Sequence, residues 1–153
     1  RMAELNSAAA RIARAVADQS GRSVVVAGSM GPTGEIMEPI GPLTKEQAQA
    51  AFAEQALALA AGGADVLWIE TMSSREEVEA AVAGAGTVGL PIVCTLSFDT
   101  NGRTMMGISP SDFAGIEKSL VPKLAVTTPG VTLPVPIAPI MLSPPPALRC
   151  PSA

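Results

Sequence analysis

A chain of 153 residues with 48% hydrophobic and 16% charged side chains is one domain's length with enough aliphatic material to fill a core, which excludes a disordered or disulfide-framework protein over most of its extent. A formal charge of −4 with 3% aromatic residues excludes a nucleic-acid binder, which needs a basic surface and stacking rings. With no histidine, Ser-His-Asp, Cys-His and His-based zinc sites are excluded, and any catalysis must rest on carboxylates or a thiolate.

From Glu4 to Gln19 the apolar positions Leu5, Ala9, Ile12 and Val16 recur at three and four residues, with Arg11, Arg14 and Asp18 on the other side. This spacing predicts an amphipathic helix. Ser23–Ala27 is a short β-branched run, the pattern of a parallel-sheet strand buried on both faces. The loop that follows, Gly28-Ser29-Met30-Gly31-Pro32-Thr33-Gly34 with Pro39, Gly41 and Pro42 beyond, exceeds the usual connection of about 2–6 residues, an excess that often serves function. Thr44 and Gln47 form a capping-box pair for a second helix with the stripe Ala48, Phe52, Ala56 and Leu59, closed by Gly62-Gly63.

Asp65–Ile69 predicts a second buried strand running into Glu70-Thr71-Met72. Ser74 and Glu77 read as another capping box, opening a helix with the stripe Val78, Ala81, Val82 and Ala85, and Pro91–Ser97 as a third strand. The alternation predicts an α/β parallel sheet with helical crossovers. A polar loop, Phe98–Thr104, and a last helix from Ser109-Pro110-Ser111-Asp112 to about Leu120 complete this part. Beyond it, nine of the 14 prolines fall between Pro122 and Pro151 and the only charges are Lys123 and Arg149. Proline fixes φ and removes donors, so residues 121–153 are expected to form a Pro-rich irregular tail, distinct from a domain over 1–120.

Glu70 is the most informative single residue. A carboxylate at the C-terminal end of a buried strand stands where parallel α/β proteins gather their sites, and it needs a cation or donors there. A substrate amino group fits; so does a helix N-terminal acid or a structural salt bridge. The loop Gly28–Gly34 lacks the Walker and dinucleotide spacings, leaving a tight turn or a ligand cradle. Asp99 and Arg103 read either as a polar pair in the same mouth or as a solvated loop. Cys94, mid-strand in apolar surroundings, is expected to be inert packing, and Met105-Met106 with the other methionines core filler. Two distant cysteines, no apolar run of about 18 residues and no signal-like N-terminus predict a cytoplasmic protein without a membrane span. A first residue other than Met, inside a helix pattern, predicts that a preceding part is missing.

Taken together, Val24–Gly34, Phe52-x-Glu54-Gln55, Gly63–Met72, Ser97-Phe98-Asp99 and Gly102–Gly107 resemble the homocysteine-binding domain of the homocysteine S-methyltransferases, betaine–homocysteine methyltransferase and cobalamin-dependent methionine synthase. The resemblance implies a (β/α)8 TIM-type barrel in which zinc, held by three cysteines, binds homocysteine as thiolate and presents it to a methyl donor. Zinc lowers the thiol pKa, which supplies the nucleophile at neutral pH. It also implies that Glu70, with Thr71 beside it, holds the amino group of homocysteine and that Gly28, Ser29, Met30 and Gly31 line the same mouth. About three βα units of an incomplete barrel are expected, against about 250 residues for a whole one.

The zinc-bearing Gly-x-Asn-Cys and Gly-Gly-Cys-Cys segments and the Asp-Gly-Gly loop have no counterpart, and neither Cys94 nor Cys150 stands in a matching motif. No zinc ligand is therefore carried over. The expected partners are homocysteine and a donor (betaine, S-methylmethionine or methylcobalamin), with self-association through exposed sheet edges. The tail, which follows Leu124-Ala125-Val126 with Pro-rich sequence, reads as a frameshift near Val121–Thr128 in a GC-rich gene. Two other readings remain at this point: an interaction module with a Pro-rich tail, and a different small-molecule-binding α/β enzyme.

Overall fold

In the computed structural model, which describes residues 1–120, helices and strands alternate as α1 (Met2–Gln19), β1 (Ala27–Met30), α2 (Lys45–Ala61), β2 (Val66–Met72), α3 (Arg75–Ala85), β3 (Ile92–Leu96) and α4 (Pro110–Leu120). The strands form a parallel sheet in the order β1-β2-β3. This is the α/β alternation expected from the sequence. The expectations about residues 121–153, including Cys150 and the frameshift, lie outside the described residues.

Register decides which side chains share a face. Gly28, Leu67 and Ile92 stand in one row, Ser29, Trp68 and Val93 in the next, and Met30, Ile69 and Cys94 in the third. Alternate rows point to opposite faces. The first and third rows are buried, covered by α2 on β1 and by α3 on β2 and β3. Gly28 shows how close this layer lies: a Cβ there would stand 3.1 Å from the Leu59 side chain. On the other face Ser29 is exposed, Trp68 half-buried and Val93 buried. The strands are thus not uniformly buried on both faces, because the described helices cover one side of the sheet.

The helix stripes of α2 and α3 behave as their spacing dictates. Ala48, Phe52, Ala56 and Leu59 are buried, as are Val78, Ala81, Val82 and Ala85. The Thr44–Gln47 capping box is complete in both directions, and Gly63 takes φ +96 just past the end of α2. α2 lies between α1 and α3.

α1 corrects the expectation. Leu5, Ile12 and Val16 are 60%, 69% and 64% exposed, and the buried residues are Ala10 and Ala17. The helix seats its small side chains inward: a Cβ at Gly62 would fall 2.5 Å from the Ser7 carbonyl and 2.6 Å from Ala10 Cβ. Arg14, assigned to the solvent side, instead reaches Asp65 at 2.9 Å, and the same Asp65 oxygen accepts the Val26 amide at 2.7 Å.

β1 is displaced from Ser23–Ala27 to Ala27–Met30. Its ladder begins where β2 begins, at Ala27 opposite Val66, so most of the Val-rich run precedes the neighbour it would need. Met105 and Met106 are 75% and 48% exposed rather than core filler, whereas Met30, Met37 and Met72 are buried.

Candidate functional site

The C-terminal ends of β1 and β2 converge on Glu70. β2 runs through to Met72 instead of stopping at Ile69. Ile69 pairs with Cys94 but Met72 with Leu96, so β2 spends three steps where β3 spends two. This bulge falls on Glu70 and Thr71, and bulges re-aim the side chains they carry. Thr71 sits at φ +64, a left-handed conformation costly for a β-branched residue, and strain of that kind concentrates at functional sites.

Ser29 lies one row before the end of β1, on the open face. Its Oγ donates to Glu70 Oε1 at 2.5 Å. Glu70 is half-buried, and with one oxygen taken by Ser29 the other is available to a second donor. Gly28 and Met30, flanking Ser29, point into the helix layer and are buried; they belong to β1 rather than to the loop. Gly31 follows them at the strand end, and Thr71 is exposed beside Glu70.

The loop after β1 has its own anchor, which the sequence pattern did not reveal. Thr33 donates through its amide and its Oγ1 to Glu77 Oε1, at 2.8 and 2.7 Å. Glu77 is 5% exposed. Its amide is capped by Ser74 Oγ at 3.2 Å, but its carboxylate faces Thr33, so the expected Ser74–Glu77 capping box is present in one half and the acid serves a long-range contact instead. The neighbouring cleft of about 320 Å³ lies between Met2, the Gly31–Thr33 loop and Phe52 and Gln55 of α2. Neither Ser29 nor Glu70 lines it.

Asp99 and Arg103 do not form a pair in the mouth. Thr100 and Arg103 close a tight turn through reciprocal backbone bonds of 3.0 Å, with Asn101 and Gly102 at φ +51 and +74. The turn sends the Arg103 guanidinium to the Gly107 carbonyl at 2.8 Å and towards Asp112, while Asp99 accepts from Thr100. Thr104, unremarked in the sequence, is buried and donates to the Ser73 carbonyl at 2.7 Å, fastening this loop over the β2–α3 connection. At α4, Ser109 donates to Asp112 through side chain and backbone, and these bonds hold the Asp112 carboxyl below its ordinary pKa.

Among the described residues no group of three or more Cys, Asp or Glu side chains is placed to hold a metal ion. The one described cysteine, Cys94, is buried in the sheet row that faces the helices. No helix of the described residues is long and apolar enough to cross a membrane.

Residues 1–131 match the homocysteine S-methyltransferase family. The chain belongs to that family. It is 31% identical over 116 residues to methionine synthase of Mycobacterium tuberculosis, an alignment covering 70% of this chain and 10% of that protein. Its fold is similar to the apo crystal structure of the homocysteine methyltransferase MmuM from Escherichia coli, with a TM-score of 0.57 and 23% identity over 74% of this chain and 41% of that one. This family member thus spans less than half the length of either relative.

Proposed function

We propose that the chain is a section of a (β/α)8 homocysteine S-methyltransferase barrel and supplies the amino-group side of its substrate site. The complete reaction would move a methyl group from a donor to the homocysteine thiol, giving methionine. The observation that carries the reading is the Ser29–Glu70 pair on the open sheet face, at a bulge whose next residue is held at φ +64.

The chemistry follows from the arrangement. An ammonium group brought to Glu70 meets a carboxylate that Ser29 has already oriented, and the charge-assisted bond it forms is about twice as strong as a neutral one. Ser29 fixes one oxygen by donating to it, so the amino group takes the other. Gly28 and Met30 face the helices on the other side of the sheet, whereas Gly31 follows at the strand end and exposed Thr71 borders the same carboxylate. Half-burial of Glu70 limits screening by water without stranding the charge.

Zinc, which the family resemblance implies, does not fit the described residues: no three donors converge, and Cys94 lies among helix-facing side chains. No step is assigned to a metal here, and the chain alone is expected not to transfer methyl groups.

Titration of the isotopically labelled full chain with L-homocysteine, followed by amide chemical shifts, tests the reading. Shifts centred on Ser29, Glu70 and Thr71 that N-acetylhomocysteine fails to produce are expected. Equal shifts with both ligands would refute the amino-group role.

A further inference from the structure

Two ties join the end of β1 to the β2–α3 segment. Ser29 donates to Glu70; four residues on, Thr33 donates twice to Glu77, which stands seven residues after Glu70. The first tie belongs to the site described above. The second has no place in amino-group recognition, yet it commits a carboxylate that is 5% exposed.

Burying a carboxylate is costly unless donors and dipoles compensate it. Glu77 meets both conditions. It lies in the first turn of α3, where helix N–H groups favour negative charge, and Ser74 caps its amide. Its side chain is therefore a fixed acceptor built on a helix rather than on a loop. What it holds is a turn bounded by glycines. Thr33 stands between Pro32 and Gly34, the latter at φ +83, with Gly31 one residue further back, where a Cβ would meet nothing within 4 Å. Bonds between Thr33 and Glu35 close the local turn without attaching it to another element. Ordering such a segment costs backbone entropy, so the attachment point helps decide where the loop rests.

We propose that Glu77 is a positioning residue: by gripping Thr33 it fixes the exit of β1 and thereby sets Ser29 Oγ against Glu70. The loop acts as a strap with two buckles, Ser29–Glu70 carrying the ligand contact and Thr33–Glu77 carrying the geometry. The consequence for ligands rests on the reading of Glu70 given above. The consequence for Ser29 does not.

The test uses the full chain and three variants, Glu77→Ala, Glu77→Gln and Thr33→Val, each checked for cooperative melting. The readouts are the hydrogen-exchange rate of the Thr33 amide, the Ser29 amide shift and the response to L-homocysteine. Glu77→Ala is expected to speed Thr33 exchange roughly tenfold or more, as the loss of a hydrogen bond to a charged acceptor implies. It should also move the Ser29 resonance and weaken the homocysteine response. Glu77→Gln keeps an oxygen for Thr33 and should hold exchange within about threefold of the parent, the scale of a neutral in place of a charged acceptor. Thr33→Val keeps the amide donor and should fall between the two, and it serves if Glu77→Ala fails to fold.

Loss of Thr33 protection with an unmoved Ser29 resonance would overturn the proposal, leaving Glu77 a local fastening only. So would Glu77→Gln behaving like Glu77→Ala. If the parent chain shows no homocysteine response, the reading of Glu70 falls alone, and the Thr33 and Ser29 signals still decide the role of Glu77.

Discussion

α1 and α2 carry apolar stripes of similar period and treat them oppositely. In α2 the stripe of Ala48, Phe52, Ala56 and Leu59 is buried, between α1 and α3 and over β1. In α1 Leu5, Ile12 and Val16 are more than half exposed, and the buried residues are Ala10, against the Gly62 corner, and Ala17. Period identifies a face; the available neighbours determine whether that face is covered. The stripe on α1 is a surface that the described residues leave open, alongside the outer edges of β1 and β3.

The largest expected effect breaks or confirms this contrast directly. Phe52→Ala should destabilise by about 3–5 kcal/mol, the usual cost of emptying a buried aromatic site, measured as a shift in the urea midpoint. Next comes the contact between α2 and α3. A Cβ at Gly84 would stand 2.6 Å from the Gln49 carbonyl and 2.8 Å from the Ala53 amide. Gly84→Ala should therefore cost about 1–3 kcal/mol despite alanine's better helix propensity, because backbone must move.

Strain at the site gives a smaller effect of opposite sign. Thr71→Gly should stabilise by about 0.5–1 kcal/mol, the left-handed penalty of about 1–2 kcal/mol less the entropy glycine adds to the unfolded chain. Thermal melting checks it, and a loss of stability would mean that Thr71 is not strained. Ile12→Ala in α1 should change stability by less than about 0.5 kcal/mol; a loss above about 2 kcal/mol would erase the difference between the two helices. Ile12→Ser should in turn reduce concentration-dependent association in sedimentation runs if the open stripe drives it.

The weakest effect is at α4. Asp112 has a folded pKa lowered by the Ser109 hydrogen bonds, so its contribution is present above the unfolded carboxylate pKa and lost as pH falls through the lowered folded value. Acid should fray the N-terminus of α4, seen as faster exchange of its first amides, and Asp112→Asn should remove this pH dependence.

How much the sequence revealed depended on whether a feature was local. The Thr44 cap, the stripes of α2 and α3, β3 and the position of Glu70 on β2 were legible because propensity, capping and spacing act within a few residues. The displacement of β1 was not, since a Val-rich run becomes a strand only opposite a partner. Charge placement misled twice. Arg14 looked solvent-facing but meets Asp65, 51 residues away, and Glu77 looked like a capping partner but meets Thr33, 44 residues away. Asp99 and Arg103 stand exposed on either side of the Asn101-Gly102 turn, which matches the solvated-loop alternative rather than the polar pair. Methionine's apolar character suggested burial for Met105 and Met106, which loop geometry leaves exposed.

The proposed function turns on Glu70 as the acceptor for a substrate amino group. It is tested most directly by titrating L-homocysteine into the full chain and into Glu70→Gln while following the Ser29, Glu70 and Thr71 amides. Saturable shifts are expected in the parent and at least tenfold weaker binding in the variant, since an ion pair with the ammonium group gives way to a hydrogen bond onto an uncharged amide oxygen, a loss on the order of 1.4 kcal/mol. Unchanged affinity in Glu70→Gln would contradict it.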